Sequence, residues 1–411
     1  MERGGDHHAS TSRSDQQNTG QPNAQRSRRA VLGFLGAGIA AGLAGCEGLP
    51  GLRGDDCDPD ATDDLSECDL SGTDLSEADL SGAKFHNADL SGANLTGANL
   101  SGTRLWGANF NSAKLTDANL ADADLLGTLF NNADLDGVDL SGRDLSTISV
   151  ADTNLTNVNL SGADFRGADL FGTDLHDANL PEVDLSGADF HGADLRGMDL
   201  SGTDFSGTVL IDTDLSGANI SGADLSGKDL SGTILTGVDL TDVDLTGTNL
   251  SRTDLSGADL SGVDLSKKDL SGTNLTGADL TDADLSGVNL HNASLQDTNL
   301  SGRDLSGLNL RSANLANANL TGANLSDTEL LFANLSDAKL VEINLRGADL
   351  SGANLDGATL HDADLREVDL FGADLRDATI EEARFEGANL KSASWTDGSD
   401  CSSENCDGRA Y

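Results

Sequence analysis

Aromatic side chains make up 3% of the 411 residues, with two Trp and one Tyr, and there are only four Pro, two Met and five Cys. So few rings cannot fill a conventional globular core. Positive charge is scarce as well: 25 Lys and Arg stand against 69 Asp and Glu, for a net charge of −44. No nucleic-acid partner is expected. Long apolar runs are missing too. The nearest is an Ala/Gly/Leu stretch from Ala30 to Gly45, too short and too Gly-rich for a standing transmembrane helix. No GxSxG, P-loop, GxGxxG or HExxH motif occurs, so those catalytic constellations are excluded. An enzyme is the least supported class, and neither a cofactor nor a metal site is expected.

What the chain does have is a clock. From Leu65 to Trp395 every fifth residue is apolar without a slip of phase, (395 − 65)/5 + 1 = 67 positions. All are Leu except seven Phe (85, 110, 130, 165, 190, 205 and 385), Ile220, Ile380, Val150 and Trp395. With the central residue as i, position i−2 is mostly Ala, Thr or Val, i−1 Asp or Asn, i+1 Ser or Thr, and i+2 Gly, Asp or Asn. Residues i−2 and i point the same way in an extended segment and pair a small side chain with a large one. Ser-Gly suits the central pair of a type II turn, which needs positive φ at its second residue. Period five fits no helix. Each unit therefore reads as a short strand and a corner.

The repeat A-(D/N)-L-x-x resembles the pentapeptide-repeat family over about four fifths of the chain. The resemblance implies an all-β fold, a right-handed quadrilateral β-helix with 20 residues per coil, here about 17 coils. At ~4.8 Å per coil the rod is roughly 80 Å long. The central Phe residues support a four-sided coil: Phe85, Phe165, Phe205 and Phe385 leave remainder 5 on division by 20, and Phe110, Phe130 and Phe190 leave 10, two adjacent sides of four.

Much of the acid lies in the i−1 column. Asp residues stacked ~5 Å apart repel by about 0.8 kcal/mol per pair in water, a load that molar salt removes as the screening length falls to ~3 Å. Interleaved Asn dilutes it. Halophilic adaptation of a solvated surface accounts for this, while duplex-DNA mimicry and cation binding by Asp ladders stay open.

Residues 1–26 are polar and of low complexity. Ser27-Arg28-Arg29-Ala30-Val31-Leu32 resembles a twin-arginine export signal, and Leu43-Ala44-Gly45-Cys46 looks like a lipobox. The chain therefore divides into a leader and signal (1–45), a tether (46–62), the β-helix (63–395) and a C-terminal tail (396–411). The mature protein would begin at a lipidated Cys46, anchored to the outer face of the cytoplasmic membrane. Outside the cell Cys57, Cys68, Cys401 and Cys406 should oxidise. Three pairings are possible, but a rigid rod holds Cys68 too far from Cys401, leaving Cys57–Cys68 and Cys401–Cys406.

Apolar residues at outward positions are informative. Phe171, Ile211, Leu331 and Phe371 all leave remainder 11, as do His191, His291 and Arg311; Leu129 and Val209 leave 9 and Phe332 leaves 12. These ten residues form a candidate interaction edge for a partner or a second copy, although scattered drift on a tolerant surface gives the same residues. Trp106 and Leu126, with His86, make a smaller cluster near the anchored end. Arg143, Lys228, Lys268 and Arg303 occupy inward i−2 positions, where their stems should run past a corner toward Asp. The expected function is a non-catalytic surface lipoprotein, a stiff acidic scaffold for an envelope or protein partner. The family resemblance supplies the rival, a duplex-DNA mimic that binds a type II topoisomerase; an Asp-ladder cation surface is a third reading.

Overall fold

The computed structural model describes residues 64–180 and 182–401. The expectations for Arg28, Arg29, Cys46, Cys57 and Cys406 lie outside the described residues.

Each unit supplies one extended residue pair and one corner. The residue before each central Leu pairs in parallel with the residue twenty places on: Asp69 with Asp89, and Asp89 with Asn109. Twenty residues and four corners thus close one turn, a four-sided β-helix. A corner every fifth residue leaves no room for long strands, so the sides meet through single-residue bridges. Two backbone bonds hold a rung, as where Asp89 N donates to Cys68 O at 2.8 Å and Leu70 N to Asp89 O at 2.7 Å.

The corners are β-turns. Ala78 N donates to Leu75 O at 3.2 Å across Ser76 and Glu77, and Glu77 has φ 57°, the positive value expected at the second central residue. A side-chain bond reinforces the turn. Asp69 Oδ1 accepts from Ser71 N at 3.0 Å and Ser71 Oγ at 2.6 Å. The i−1 carboxylate is therefore a corner acceptor as well as a surface charge. This is the backbone-capping habit that favours Asp, Asn and Ser in turns.

The interior is lined by buried apolar side chains. Ala93 and Leu95 are both fully buried, as are Phe85, Phe190 and most central Leu; each fully buried Leu contributes about 1.5–3 kcal/mol. Phe110 and Phe130, one coil apart, stack with centroids 5.2 Å apart. Where i−2 is Thr, its hydroxyl finds a carbonyl: Thr213 Oγ1 donates to Phe190 O at 2.8 Å. The chain beyond Trp395 folds back over the last coil, with Cys401 N donating to Ala393 O at 2.8 Å and Ser394 pairing antiparallel with Asp400. Cys68 and Cys401, buried at opposite ends of the rod, are each disulfide-bonded.

The ladder has gaps among the described residues; Asn179/Asp199, Asp184/Asp204 and Asn219/Asp239 are missing beside no cation, and the others lie beside inward cations. Beside Arg143 the rungs Asn119/Asp139 and Asp124/Asp144 are missing among the described residues; beside Lys228, Asp204/Asp224 and Val209/Asp229; beside Lys268, Asp244/Asp264 and Asn249/Asp269; beside Arg303, Asp279/Asn299 and Asp284/Asp304. At each cation the lost rungs join its own coil to the coil below. A Lys or Arg stem is too long for the space that Ala or Thr fills, so it wedges between coils. Arg143 and Arg303 reach Asp122 and Asp282 at 3.7 and 3.8 Å, as expected. Carbonyls of the coil below are also used: Arg303 Nη2 donates to Ala283 O, Lys228 Nζ to Thr208 O at 3.3 Å and Lys268 Nζ to Leu245 O at 2.5 Å.

Candidate interaction edge

Remainder-11 residues occupy the first position of one corner in successive coils. Backbone bonds tie them together: Gly172 N donates to His191 O at 3.0 Å, Gly192 N to Ile211 O at 3.1 Å, Ser312 N to Leu331 O at 2.8 Å and Gly352 N to Phe371 O at 2.8 Å. Phe171, His191, Ile211, His291, Arg311, Leu331 and Phe371 thus lie along one edge. Val209 lies beside Ile211, on the flat side that leads into this corner. Leu129 shares that flat side but lies nearer the other cluster, bridged to Asn109 and Ser149 and three residues from Leu126.

The edge has local order. Phe171 and His191 meet edge to face with centroids 5.3 Å apart, and His191 Nε2 lies 3.3 Å from Asp212 Oδ2. His291 Nδ1 is 3.0 Å from Arg311 O, so that imidazole is turned onto the backbone. Arg311 reaches Glu329 at 3.9 Å. Phe171 and Phe371 are exposed, 43% and 46%, and Phe332 more so at 65%.

Phe332 is the outlier. It sits in the corner position that other coils give to Gly, Asp, Asn, Glu, Ser, Arg or Lys, with φ 59°. A bulky apolar residue there costs about 1 kcal/mol or more. Its ring lies over the corner of the next coil, where a Cβ on Gly352 would stand 2.6 Å from it. Glycine at 352 is what makes room. Near the other end, Trp106 and Leu126 are half exposed in successive coils, and His86 meets Trp106 with centroids 6.0 Å apart.

Comparison with known proteins settles the family. The pentapeptide-repeat description matches residues 64–147, 151–227, 229–330 and 333–394 in overlapping blocks. The chain belongs to the pentapeptide-repeat family. Members fold as right-handed quadrilateral β-helices and are non-catalytic repeat scaffolds. Among solved structures, HetL of the cyanobacterium Nostoc, described as involved in the regulation of heterocyst differentiation, is 25% identical over 83% of this chain and 95% of its own, TM-score 0.22. A pentapeptide-repeat protein of the Arabidopsis thaliana thylakoid lumen is 32% identical over 31% of this chain and 66% of its own, TM-score 0.11. QnrB1, a plasmid-mediated fluoroquinolone resistance protein, is 22% identical over 56% of this chain and 91% of its own, TM-score 0.17. A search of curated proteins finds no match.

The contacts described on this pentapeptide-repeat rod are hydrogen bonds, ion pairs and ring contacts. Among the described residues no group of three or more His, Cys, Asp or Glu is placed to hold a metal ion, and no helix is long and apolar enough to cross a membrane. Two recesses are open crevices at ladder gaps. One of about 570 Å³ is lined by Leu180, Val183, Asp184, Asp199 and Thr203; another of about 380 Å³ by Asp244, Leu245, Asp264 and Lys268. The Asp199 and Asp229 carboxylates are held below their ordinary range by donated hydrogen bonds, from Ser201 Oγ and then its N–H at Asp199, and from Ser231 in the same order at Asp229. Burial pushes the Lys228 and Lys268 ammonium groups down. The sequence reading missed the wedge role of these lysines. The signal available to it was that a long side chain replaces Ala or Thr in an inward column.

Proposed function

We propose that this chain is a non-catalytic scaffold, exported by the twin-arginine signal at Arg28 and Arg29 and anchored through lipid on Cys46, which presents its apolar edge to an envelope or protein partner. The exposed Phe171, followed along one corner by the half-buried His191 and Ile211, supports this reading most. Elsewhere those corner positions are mainly Ser, Thr and Gly, and three consecutive departures on a solvated edge have no role inside the rod. The disulfides are assigned as Cys57–Cys68 and Cys401–Cys406, each clipping one end of the solenoid against fraying. The acidic faces suit a halophilic setting, in which salt screens the stacked carboxylates.

Cell fractionation with detergent phase partition tests the anchor. The full chain should enter the detergent phase, Cys46→Ala should lose that partition, and Arg28→Lys with Arg29→Lys should stay in the cytosol. A native protein found in the aqueous cytosolic fraction would refute the exported scaffold and favour the second reading, a duplex-DNA mimic acting on a type II topoisomerase. The specific feature behind that rival is the uninterrupted Asp column from Asp124 to Asp304, every twentieth residue. A third reading, cation binding by that column, predicts a thermal stabilisation by calcium beyond the effect of ionic strength.

A further inference from the structure

The apolar residues of the edge are spaced symmetrically. Phe171 lies five coils before Ser271 and Phe371 five coils after it; Ile211 lies three coils before and Leu331 three after. The exposures match as well, since both Phe are exposed and both aliphatic residues half-buried. A two-fold interface requires this kind of self-complementarity, in which residue i meets residue j and j meets i. We propose that two copies of the chain pair edge to edge and antiparallel, with the two-fold axis at Ser271. This rests on reading the edge as an interaction surface, and it names the partner.

The arrangement sets Phe171 against Phe371 of the second copy and Ile211 against its Leu331, each contact made twice. Phe332 then flanks the Ile211–Leu331 contact, which gives a purpose to an exposed aromatic held at φ 59°. Charge permits the approach once salt screens the Asp of the flanking columns, such as Asp169 and Asp174. The two corner positions of each coil from Phe171 to Gly372 hold one acid, Asp212, and two Arg, Arg252 and Arg311, in a chain of net charge −44. Asp212 is already engaged by His191 at 3.3 Å. Area is sufficient too. Ten coils at ~4.8 Å make an edge about 48 Å long; a contact strip about 15 Å wide covers about 700 Å² per copy, close to the roughly 800 Å² of a standard interface.

Cross-linking and sedimentation test this with the full chain carrying Cys46→Ser, so that no lipid drives association, in molar salt. Sedimentation velocity should show a dimer. Phe171→Asp removes two symmetric contacts at once and should weaken it about 100-fold or more, with circular dichroism confirming an intact fold. Ser271→Cys should give a disulfide-linked dimer on mild oxidation. Ser351→Cys alone should not, because its two copies would stand about 38 Å apart; mixed with His191→Cys it should. Cross-linking of Ser351→Cys alone would mean parallel pairing and overturn the proposal, and so would a monomer at every concentration. A monomeric Cys46→Ser chain, alongside a chain with Cys46 intact that enters the detergent phase, would leave the anchored-scaffold reading standing.

Discussion

Replacing Lys268 by Thr should tighten the rod at its middle. Thr is native at neighbouring inward positions: on the next side Thr253 Oγ1 donates to Leu230 O and Thr273 Oγ1 to Leu250 O, both at 3.0 Å, and directly below Lys268 Thr248 Oγ1 donates to Leu245 O at 2.7 Å. Lys268 Nζ reaches the same Leu245 O at 2.5 Å, and also takes Thr248 Oγ1 at 3.1 Å. Lys268→Thr therefore withdraws the wedge while Leu245 O keeps Thr248 Oγ1 as a donor at 2.7 Å. Two rungs, Asp244/Asp264 and Asn249/Asp269, can then close, each with two backbone hydrogen bonds. At about 0.5–1.5 kcal/mol net per bond, four bonds would contribute about 2–6 kcal/mol. Water entering the open crevice of about 380 Å³ already satisfies part of that demand, so the lower end, about 2 kcal/mol, is expected.

Amide hydrogen exchange on the full chain reads this locally. The Leu245, Leu250, Asp264 and Asp269 amides should exchange about 30-fold more slowly in Lys268→Thr, the equivalent of about 2 kcal/mol. The converse change, Ala278→Lys, should open the intact rungs Asp259/Asp279 and Asp254/Asn274 and speed their exchange. There is also a pH signature. Burial lowers the Lys268 pKa in the fold, so between the folded and unfolded values the unfolded chain binds more protons, and stability rises with pH in the alkaline range. Lys268→Thr should flatten that rise, leaving the part due to Lys228. Unchanged exchange at the four amides, or faster exchange, would refute the wedge account.

Three further outcomes are expected. Phe332→Gly should stabilise the monomer by about 1 kcal/mol by relieving the left-handed backbone while weakening self-association, measured by thermal unfolding and sedimentation. Acid should unfold the rod through its corners: hydrogen bonds hold the Asp139, Asp199 and Asp229 carboxylates below their ordinary range, so their contribution is complete above the unfolded value near 3.8 and fades as pH falls through the folded values. Urea titrations across that range should show it, and Asp229→Ala should reduce the slope. Asn334→Asp should cost about 1 kcal/mol, because it deletes the amide donor to Asn314 Oδ1 and leaves Asn354 Nδ2 its acceptor; chemical denaturation measures it.

The four-sided coil was legible because burial enforces it. A central Leu cannot shift phase without turning outward, so position in the sequence maps directly onto column, and Phe171, His191 and Ile211 fall on one edge as division by twenty requires. Less was legible wherever the outcome depends on fit. Asp69 and Ser71 are two apart, and the bond between them was available as a turn motif, yet charge alone drew attention to that column. Lys228 and Arg303 are equally visible as exceptions. What such a stem reaches is set by its donors: both kinds find a carbonyl of the coil below, Arg303 at Ala283 O and Lys228 at Thr208 O, and the guanidinium in addition spans the corner to Asp282. Phe332 was legible as an outward apolar residue, but its strain and the part played by Gly352 belong to neighbouring coils and follow no period.

Charge explains why a rod would keep residues that break its own ladder. On three sides the i−1 column mixes Asp with Asn, and each Asn amide can bridge to the coil below, as Asn94 does to Asp74 at 3.1 Å and Asn99 to Asp79 at 3.0 Å. The column from Asp124 to Asp304 has no Asn in ten coils and so has neither dilution nor amide bridges. Neighbours in it push each other's proton affinity up, Asp224 on Asp244 and Asp264 on Asp284. Cations gather at this column. Arg166 holds Asp164 at 2.5 Å and lies 3.7 Å from Asp184; Lys228 acts on Asp224, Lys268 on Asp244 and Asp264, and Arg303 on Asp284. An outward Lys would be screened by solvent, whereas a stem entering from the inside places its charge where water is fewer and attraction stronger. The lost rungs are the structural cost of that placement. It follows that Lys268→Thr, stabilising in molar salt, should lose most of its advantage at low ionic strength, where the Asp column needs its counter-charge.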